Sequence, residues 1–230
     1  MYFFVEKPNP SPGGQTPLSD FRQVWRDLPA GLREKLLQRG LLYKRRYFNE
    51  QLGSVDPLQH KSWQAMFMTD NQSRVEEVAA TQGFTASWDA GDNLLLTHPA
   101  VVKRTHESTG EEYWNTHLNV LHAATASAPL AYSAQILDRR LALIPYFYLS
   151  WLMYVRHDLL GYPYGSDMVY ADDQSALSFE EAMSIRRLIY KNTWISDWHA
   201  GDVLILDNHR IAHGRMPYFS GDRKVYVAWQ

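Results

Sequence analysis

Cysteine is absent from the 230 residues, which removes disulfide frameworks, zinc ribbons, iron–sulfur sites and thiol nucleophiles together. An excess of one charge is also lacking. With 23 basic against 25 acidic residues the formal net charge is −2, and the surplus of Lys and Arg that a generic nucleic-acid binder uses is not there. No long hydrophobic run occurs. The longest, Leu141–Val155, is interrupted by Pro145 and flanked by Arg139, Arg140 and Arg156, whereas a bilayer-spanning helix takes about 20 apolar residues. Met1–Val5 is apolar, but Glu6, Lys7 and Pro8 follow at once, so a secretory leader is not expected. These absences point to a soluble, cytoplasmic protein with neither nucleic-acid nor membrane partners. What is present is ordinary for a globular protein: 45% hydrophobic and 21% charged residues, enough for one sizeable core. Nine histidines keep a His/carboxylate metal site open.

Hydrophobic patterning predicts strands at Met1–Val5, Leu41–Phe48, Phe84–Trp88, Asn93–Thr97, Asp202–Leu206 and Lys224–Trp229, and a hairpin of Val101–Thr105 with Glu112–Thr116 around Thr109-Gly110. Helices are expected from Asp20 to Asp27 with Ser19 as cap, and from Ala30 to Arg39 with Leu32, Leu36 and Leu37 inward. A third helix is expected to Thr81 with Asp70 as cap. Ser178 and Glu181 form the two ends of a capping box that opens a helix to Lys191. Residues 127–165 are apolar and aromatic with three prolines, and read as helix or ordered loop over a sheet. With no repeat and no low-complexity linker, residues 1–230 are expected to form one domain, mainly β with α insertions, of the decorated sandwich or jelly-roll kind.

The stretch richest in chemistry runs from Gly201-Asp202 through the apolar Val203–Leu206 to Asp207-Asn208, then His213-Gly214-Arg215, Pro217-Tyr218 and Gly221-Asp222-Arg223. Near the front lies Gly13-Gly14-Gln15-Thr16. Between them come Gly40-Leu41-Leu42-Tyr43, Arg46, and His106 followed by Thr109-Gly110-Glu111 and Trp114-Asn115. In this order the sequence resembles the taurine dioxygenase / clavaminate synthase-like superfamily of Fe(II)/2-oxoglutarate-dependent oxygenases, over nearly the whole chain.

The resemblance implies a double-stranded β-helix (cupin-like jelly roll), with Fe(2+) and 2-oxoglutarate as cofactors and a small-molecule substrate. The reaction it implies turns 2-oxoglutarate into succinate and CO2 while a small molecule or amino-acid-derived substrate undergoes hydroxylation or a related C–H oxidation. It makes His213 the distal iron ligand. Arg223 becomes the arginine that pairs with the far carboxylate of 2-oxoglutarate, and Thr16 a hydrogen-bond donor to that same carboxylate. The chemistry suits the residues. A guanidinium fork matches a carboxylate, and a neutral imidazole suits iron. Other readings stand beside these. Gly-Gly-x-Thr is also a turn leading into a capped helix. Trp114 and Asn115 are candidates to line the substrate pocket, with core and hairpin roles as alternatives. Asp207-Asn208 reads as a pair that ties a turn. Tyr43, Lys44, Arg45 and Arg46 read as a solvated strand face, and Tyr146, Phe147, Tyr148, Trp151 and Tyr154 as packing.

One motif of the family is missing. Iron there is held by two histidines and a carboxylate, the first two ligands coming from a His-x-Asp/Glu pair, and none of the nine histidines is followed in that way. In the family the pair precedes the Gly-Gly-x-Thr segment, so the expectation is a fold incomplete at the N-terminus, matching the C-terminal two-thirds of a full domain. Three functions follow. One is an oxygenase, catalytic only when the missing segment is supplied. Another is a non-catalytic ligand-binding or regulatory jelly roll without iron. The third is a structural jelly-roll module in an assembly, with a partner strand covering the open edge. A front strand left without its neighbour further implies self-association through an open sheet edge.

Overall fold

Alternation shapes the first strand. Successive side chains of a strand point to opposite faces, and β1 (Tyr2–Lys7) buries Phe3 and Val5 while Tyr2, Phe4 and Glu6 face outward. The computed structural model describes residues 1–9, 13–53, 61–116, 144, 148, 151–152, 154–162, 165–218 and 221–229. In it β1 is the central strand of an antiparallel sheet, flanked by β10 (Val203–Ile205) and β12 (Lys224–Ala228). Phe3 sits opposite Leu204 on one side and Val227 on the other.

A second small sheet has β2 (Leu18–Asp20) between β11 (Ile211–His213) and β9 (Thr193–Trp194). These three short strands are absent from the sequence expectation, because each is too short to show an alternating pattern. The β2–β11 pairing continues past the strands themselves. The Gly214 N–H donates to Pro17 O (3.1 Å), Met216 N–H to Gln15 O (2.9 Å) and Gly14 N–H to Pro217 O (3.2 Å). Residues 13–17 and 214–217 therefore run side by side.

The third sheet, in the order β4 (Thr85–Trp88), β5 (Leu94–Ala100), β3 (Leu41–Tyr47) and β8 (Ser166–Tyr170), is also antiparallel. One end of its inner face, Leu41, Met168 and Tyr170, packs with Phe21, Val24 and Trp25 of α1 (Phe21–Asp27) and with Ile185 and Ile189 of α5 (Phe179–Lys191). The other end, Leu94 and Leu96, packs with Trp63 of α3 (Trp63–Phe67) and with Val75 and Ala79 of α4 (Gln72–Thr81). The hairpin β6 (Lys103–Thr105) and β7 (Glu112–Trp114) turns at Thr109-Gly110, as its sequence implies.

The caps show where local chemistry overrides the expected boundary. Asp20, not Ser19, caps α1, its carboxylate accepting from Arg22 N–H at 2.9 Å. Ser19 is buried in β2 instead, and its hydroxyl donates to Ile189 O at 2.8 Å. Asn71, not Asp70, caps α4 by accepting from Arg74 N–H. The helix α2 (Ala30–Arg39) stops at Gly40 as expected, but Leu37 is 47% exposed, because about 100° of rotation per residue separates it from the fully buried Leu36. The capping box of α5 forms in full: Ser178 Oγ accepts from Glu181 N–H, and the Glu181 carboxylate accepts from Ser178 N–H. Much of 127–165 lies outside the described residues, Tyr146 and Phe147 included. Within its described part a π-helical turn spans Val155–Leu159, while Tyr148 and Trp151 are exposed rather than packed. The architecture is mainly β, with antiparallel sheets and helical insertions. Among the described residues no helix is long and apolar enough to cross a membrane.

Candidate functional site

The Gly13–Pro17 segment positions the site. Gly13 has φ +110°, and a Cβ on it would stand 2.3 Å from Pro217 O, so only glycine lets the two chains approach here. At Gly14 a Cβ would lie 3.3 Å from Arg223 Cδ, so the arginine stem runs across a surface kept bare of side chain. Arg223 immediately precedes β12 and is half-buried. Its Nε is buried and has no hydrogen-bond partner among the described residues. Burial, and then the nearby Arg215 cation, push its guanidinium below the ordinary arginine value. A buried polar group left unpaired costs about 1–3 kcal/mol, and a guanidinium so placed is set up for a carboxylate.

Thr16 lies on the same segment and is 5% exposed. Its Oγ1 accepts from the Trp198 indole N–H at 3.1 Å. His213 ends β11 opposite Leu18, and its ring meets Phe3 edge-on with centroids 5.4 Å apart. His213 and Arg223 thus come from different sheets. His213 reaches β1 through Phe3, Arg223 reaches Gly14, and both flank the strip of chain that carries Thr16.

Behind β11 lies an ionic knot that sequence reading found only in part. The turn feeding β11 is tied by Asp207, as the Asp207-Asn208 reading holds: its carboxylate accepts from His209 N–H (2.9 Å), Arg210 Nε (2.7 Å) and His106 Nε2 (3.1 Å). Because His106 Nδ1 accepts from Thr109 N–H, the proton on this imidazole sits at Nε2, facing Asp207. Glu111 gathers Arg22 (3.2 Å), Arg26 (3.2 Å) and Arg210 (3.0 Å). Burial alone would raise Asp207, but the His209 N–H and the Arg210 guanidinium outweigh it and hold the carboxyl below its usual range. The Arg22 hydrogen bond does the same for Glu111. The signal available in the sequence was the Asp207/Arg210 spacing beside a charged hairpin tip.

Trp114 is fully buried in the core, with its indole N–H spent on Thr116 O. Asn115 donates from its side chain to Val101 O. Both stand as core and hairpin residues, the alternative to their reading as pocket lining. On β3, Lys44 and Arg46 share a face that is partly desolvated rather than solvated. Burial, then the Arg46 charge, lowers Lys44, and burial lowers Arg46.

The metal is the less well-served group. His213 offers one imidazole, but among the described residues no group of three His, Asp or Glu side chains is placed to hold an ion. His106 and Glu111 are committed to the knot. The carboxylate ligand, by contrast, fits: an orphaned buried guanidinium nitrogen, a hydroxyl and a bare glycine surface lie along one strip.

The chain belongs to the TauD, TfdA family of taurine catabolism dioxygenases, whose family model matches residues 1–229. It is 28% identical over 216 residues to the dapdiamide synthesis protein DdaC of Enterobacter agglomerans, a match spanning 94% of this chain and 56% of that protein. Among solved structures it is similar to a protein from Burkholderia xenovorans named as an alpha-ketoglutarate dependent 2,4-D dioxygenase, with 15% identity, 98% of this chain and 58% of the other covered, and a TM-score of 0.41. It is also similar to AAD-2 in complex with Mn(II) and N-oxalylglycine, with 12% identity, 97% and 54% covered, and a TM-score of 0.41.

Proposed function

We propose that this chain binds 2-oxoglutarate through Arg223 and Thr16, as part of a double-stranded β-helix dioxygenase acting on a small molecule or an amino-acid-derived substrate. The observation that carries the proposal is the Arg223 guanidinium, buried at Nε without a partner among the described residues, in a chain of the TauD family. The reaction of such a domain converts 2-oxoglutarate to succinate and CO2 and oxidises a C–H bond of the substrate. In this reading Arg223 takes the far carboxylate as a charge-assisted pair, Thr16 adds a hydroxyl donor, and the Gly13-Gly14 surface leaves room for the ligand. His213 would supply one imidazole to Fe(2+). A second histidine and a carboxylate have to come from outside the described residues, and no His-x-Asp/Glu pair occurs in the 230 residues. The chain also spans 56% of its relative DdaC.

The lack of a three-ligand group among the described residues favours a second reading, an iron-free jelly roll that binds 2-oxoglutarate in a regulatory role. Calorimetric titration of the metal-free protein with 2-oxoglutarate, on wild type and Arg223→Met, tests what the two readings share. Binding that is lost in the variant supports it, and no binding to the wild type sinks it. Adding Fe(II) with ascorbate and assaying succinate then separates them: turnover selects the oxygenase, while binding without turnover selects the regulatory protein.

A further inference from the structure

We infer that Trp198 is a positioning residue for the carboxylate of 2-oxoglutarate, acting through the Thr16 hydroxyl; this rests on the reading just proposed. A threonine hydroxyl has one proton to give and two lone pairs to receive, whereas an indole N–H only donates. At 3.1 Å the Trp198 N–H takes one lone pair of Thr16 Oγ1. Thr16 is buried, so water does not compete for the other positions. Its β-branched side chain is stiff at χ1. With the oxygen fixed as an acceptor from Trp198, its proton is committed to a different direction and is left to be donated. A hydroxyl that accepts while it donates is also polarised into a stronger donor.

The support of Trp198 is itself built in. Its neighbour Asp197 accepts from Gln15 Nε2 at 3.0 Å, so two consecutive residues, 197 and 198, hold two consecutive residues, 15 and 16. A few residues on, Gly201 N–H donates to Val5 O (2.8 Å) and Val5 N–H to Asp202 O (2.9 Å). The loop bearing Trp198 is thereby fastened to β1, the strand whose Phe3 contacts His213. One loop thus sets Thr16 relative to β1 and to the His213 side of the site. A rotor fixed before the ligand arrives spares the ordering cost on binding.

The test is a double-mutant cycle on 2-oxoglutarate affinity, measured by titration of the metal-free protein for wild type, Trp198→Phe, Thr16→Val and the double variant, with circular dichroism and thermal melts to check folding. Phenylalanine keeps an aromatic ring and removes only the N–H. The expected result is a loss of about 3- to 10-fold in Trp198→Phe, the worth of one hydrogen bond, and no further loss when it is added to Thr16→Val. Unchanged affinity in Trp198→Phe, or losses that simply multiply in the double variant, would overturn the inference, since a merely structural tryptophan gives additive effects. A second readout needs no variant of Trp198. In wild-type protein its indole N–H resonance should shift on saturation with 2-oxoglutarate, and in Thr16→Val it should not; an unmoved resonance in the wild type counts against the role. If 2-oxoglutarate fails to bind the wild type, or Arg223→Met leaves binding intact, the underlying reading fails, a result distinct from all of these.

Discussion

Replacing Gly13 by alanine probes how much the site depends on the close approach of residues 13–17 to 214–217. A Cβ at this position would lie 2.3 Å from Pro217 O and 3.2 Å from Tyr218 Cα. An ordinary C···O contact is about 3.3 Å or more, so the Pro217 carbonyl must retreat by roughly 1 Å. That movement breaks the Gly14 N–H to Pro217 O bond, which is 3.2 Å long at the start. The backbone itself is at φ +110°, where an L side chain is strained. Strain of this kind costs about 1–3 kcal/mol, and the lost hydrogen bond adds about 1 kcal/mol. The total of about 2–4 kcal/mol translates to a fall in Tm of roughly 5–15 °C for a chain of this size. Gly110→Ala is the control: φ is +68° and nothing lies within 4 Å of the added Cβ, so only the left-handed backbone penalty of about 1–2 kcal/mol applies. Differential scanning calorimetry of both variants, with 2-oxoglutarate titration of each, separates contact from strain. Gly13→Ala should lose more stability and should also weaken the ligand, because Gly14 and Arg223 move with the broken pair. Equal destabilisation of the two variants, with full ligand affinity in Gly13→Ala, would refute the reasoning.

Other outcomes follow from the same geometry. Asp207→Asn should lower stability by about 1–2 kcal/mol at neutral pH. The carboxyl of Asp207 is held below its usual range, so its contribution is full above its unfolded value and is lost as pH falls through the lower folded one. Melting curves of wild type and variant should therefore begin to converge near about pH 4 and meet below the lowered folded value, and a gap that does not narrow with falling pH would contradict the assignment. Arg223→Met should leave Tm unchanged or higher while weakening 2-oxoglutarate at least about 10-fold, since it removes an unpaired buried polar group; a marked fall in Tm would mean that the guanidinium serves the fold. The outer face of the β10–β1–β12 sheet exposes Phe4, Val203, Ile205 and Tyr226, and each outer strand there pairs only with β1 among the described residues. Ile205→Lys should accordingly reduce concentration-dependent light scattering, and a wild type already as monodisperse as the variant would remove the case for self-association.

Sequence and structure agree where chemistry is local and diverge where it is shared. The capping box of Ser178 and Glu181, the stop at Gly40 and the hairpin around Gly110 each depend on a few adjacent residues, and each stands where the pattern places it. Three-residue strands such as β2 and β11 have no period long enough to read. They exist because Leu18–Asp20 and Ile211–His213 find each other across the fold. The same distance hid Trp198 and the ionic knot. Nothing near Trp198 in sequence announces a bond to Thr16, and the partners of Glu111 lie on α1 and in the turn after β10. The motif residues Thr16, His213 and Arg223 were legible through the resemblance. Gly13 and Gly14 belong to the same motif; what the order of residues does not show is that Gly13 takes φ +110° with only 2.3 Å between an added Cβ and Pro217 O.

The arginines show how such a site is told apart from its scaffold. Arg22, Arg26 and Arg210 converge on Glu111, and Arg39 is held by Asp172 and Asp173. Each of these guanidiniums has a carboxylate of the chain itself, so none is set aside for a ligand. Arg223 is the contrasting case: its Nε is buried, the neighbouring charge is the like-signed Arg215, and among the described residues no carboxylate pairs with it. If Arg223 were structural, the cheapest arrangement would be a carboxylate at its side, as the other four have. Arg223 instead stands beside another cation and over a glycine with no side chain, an arrangement that the proposed pairing with a 2-oxoglutarate carboxylate would relieve. The same comparison explains why His106 and Glu111 make poor iron ligands. Both already have partners in the chain: His106 donates to Asp207, and Glu111 holds Arg22, Arg26 and Arg210, of which Arg26 has no other carboxylate among the described residues.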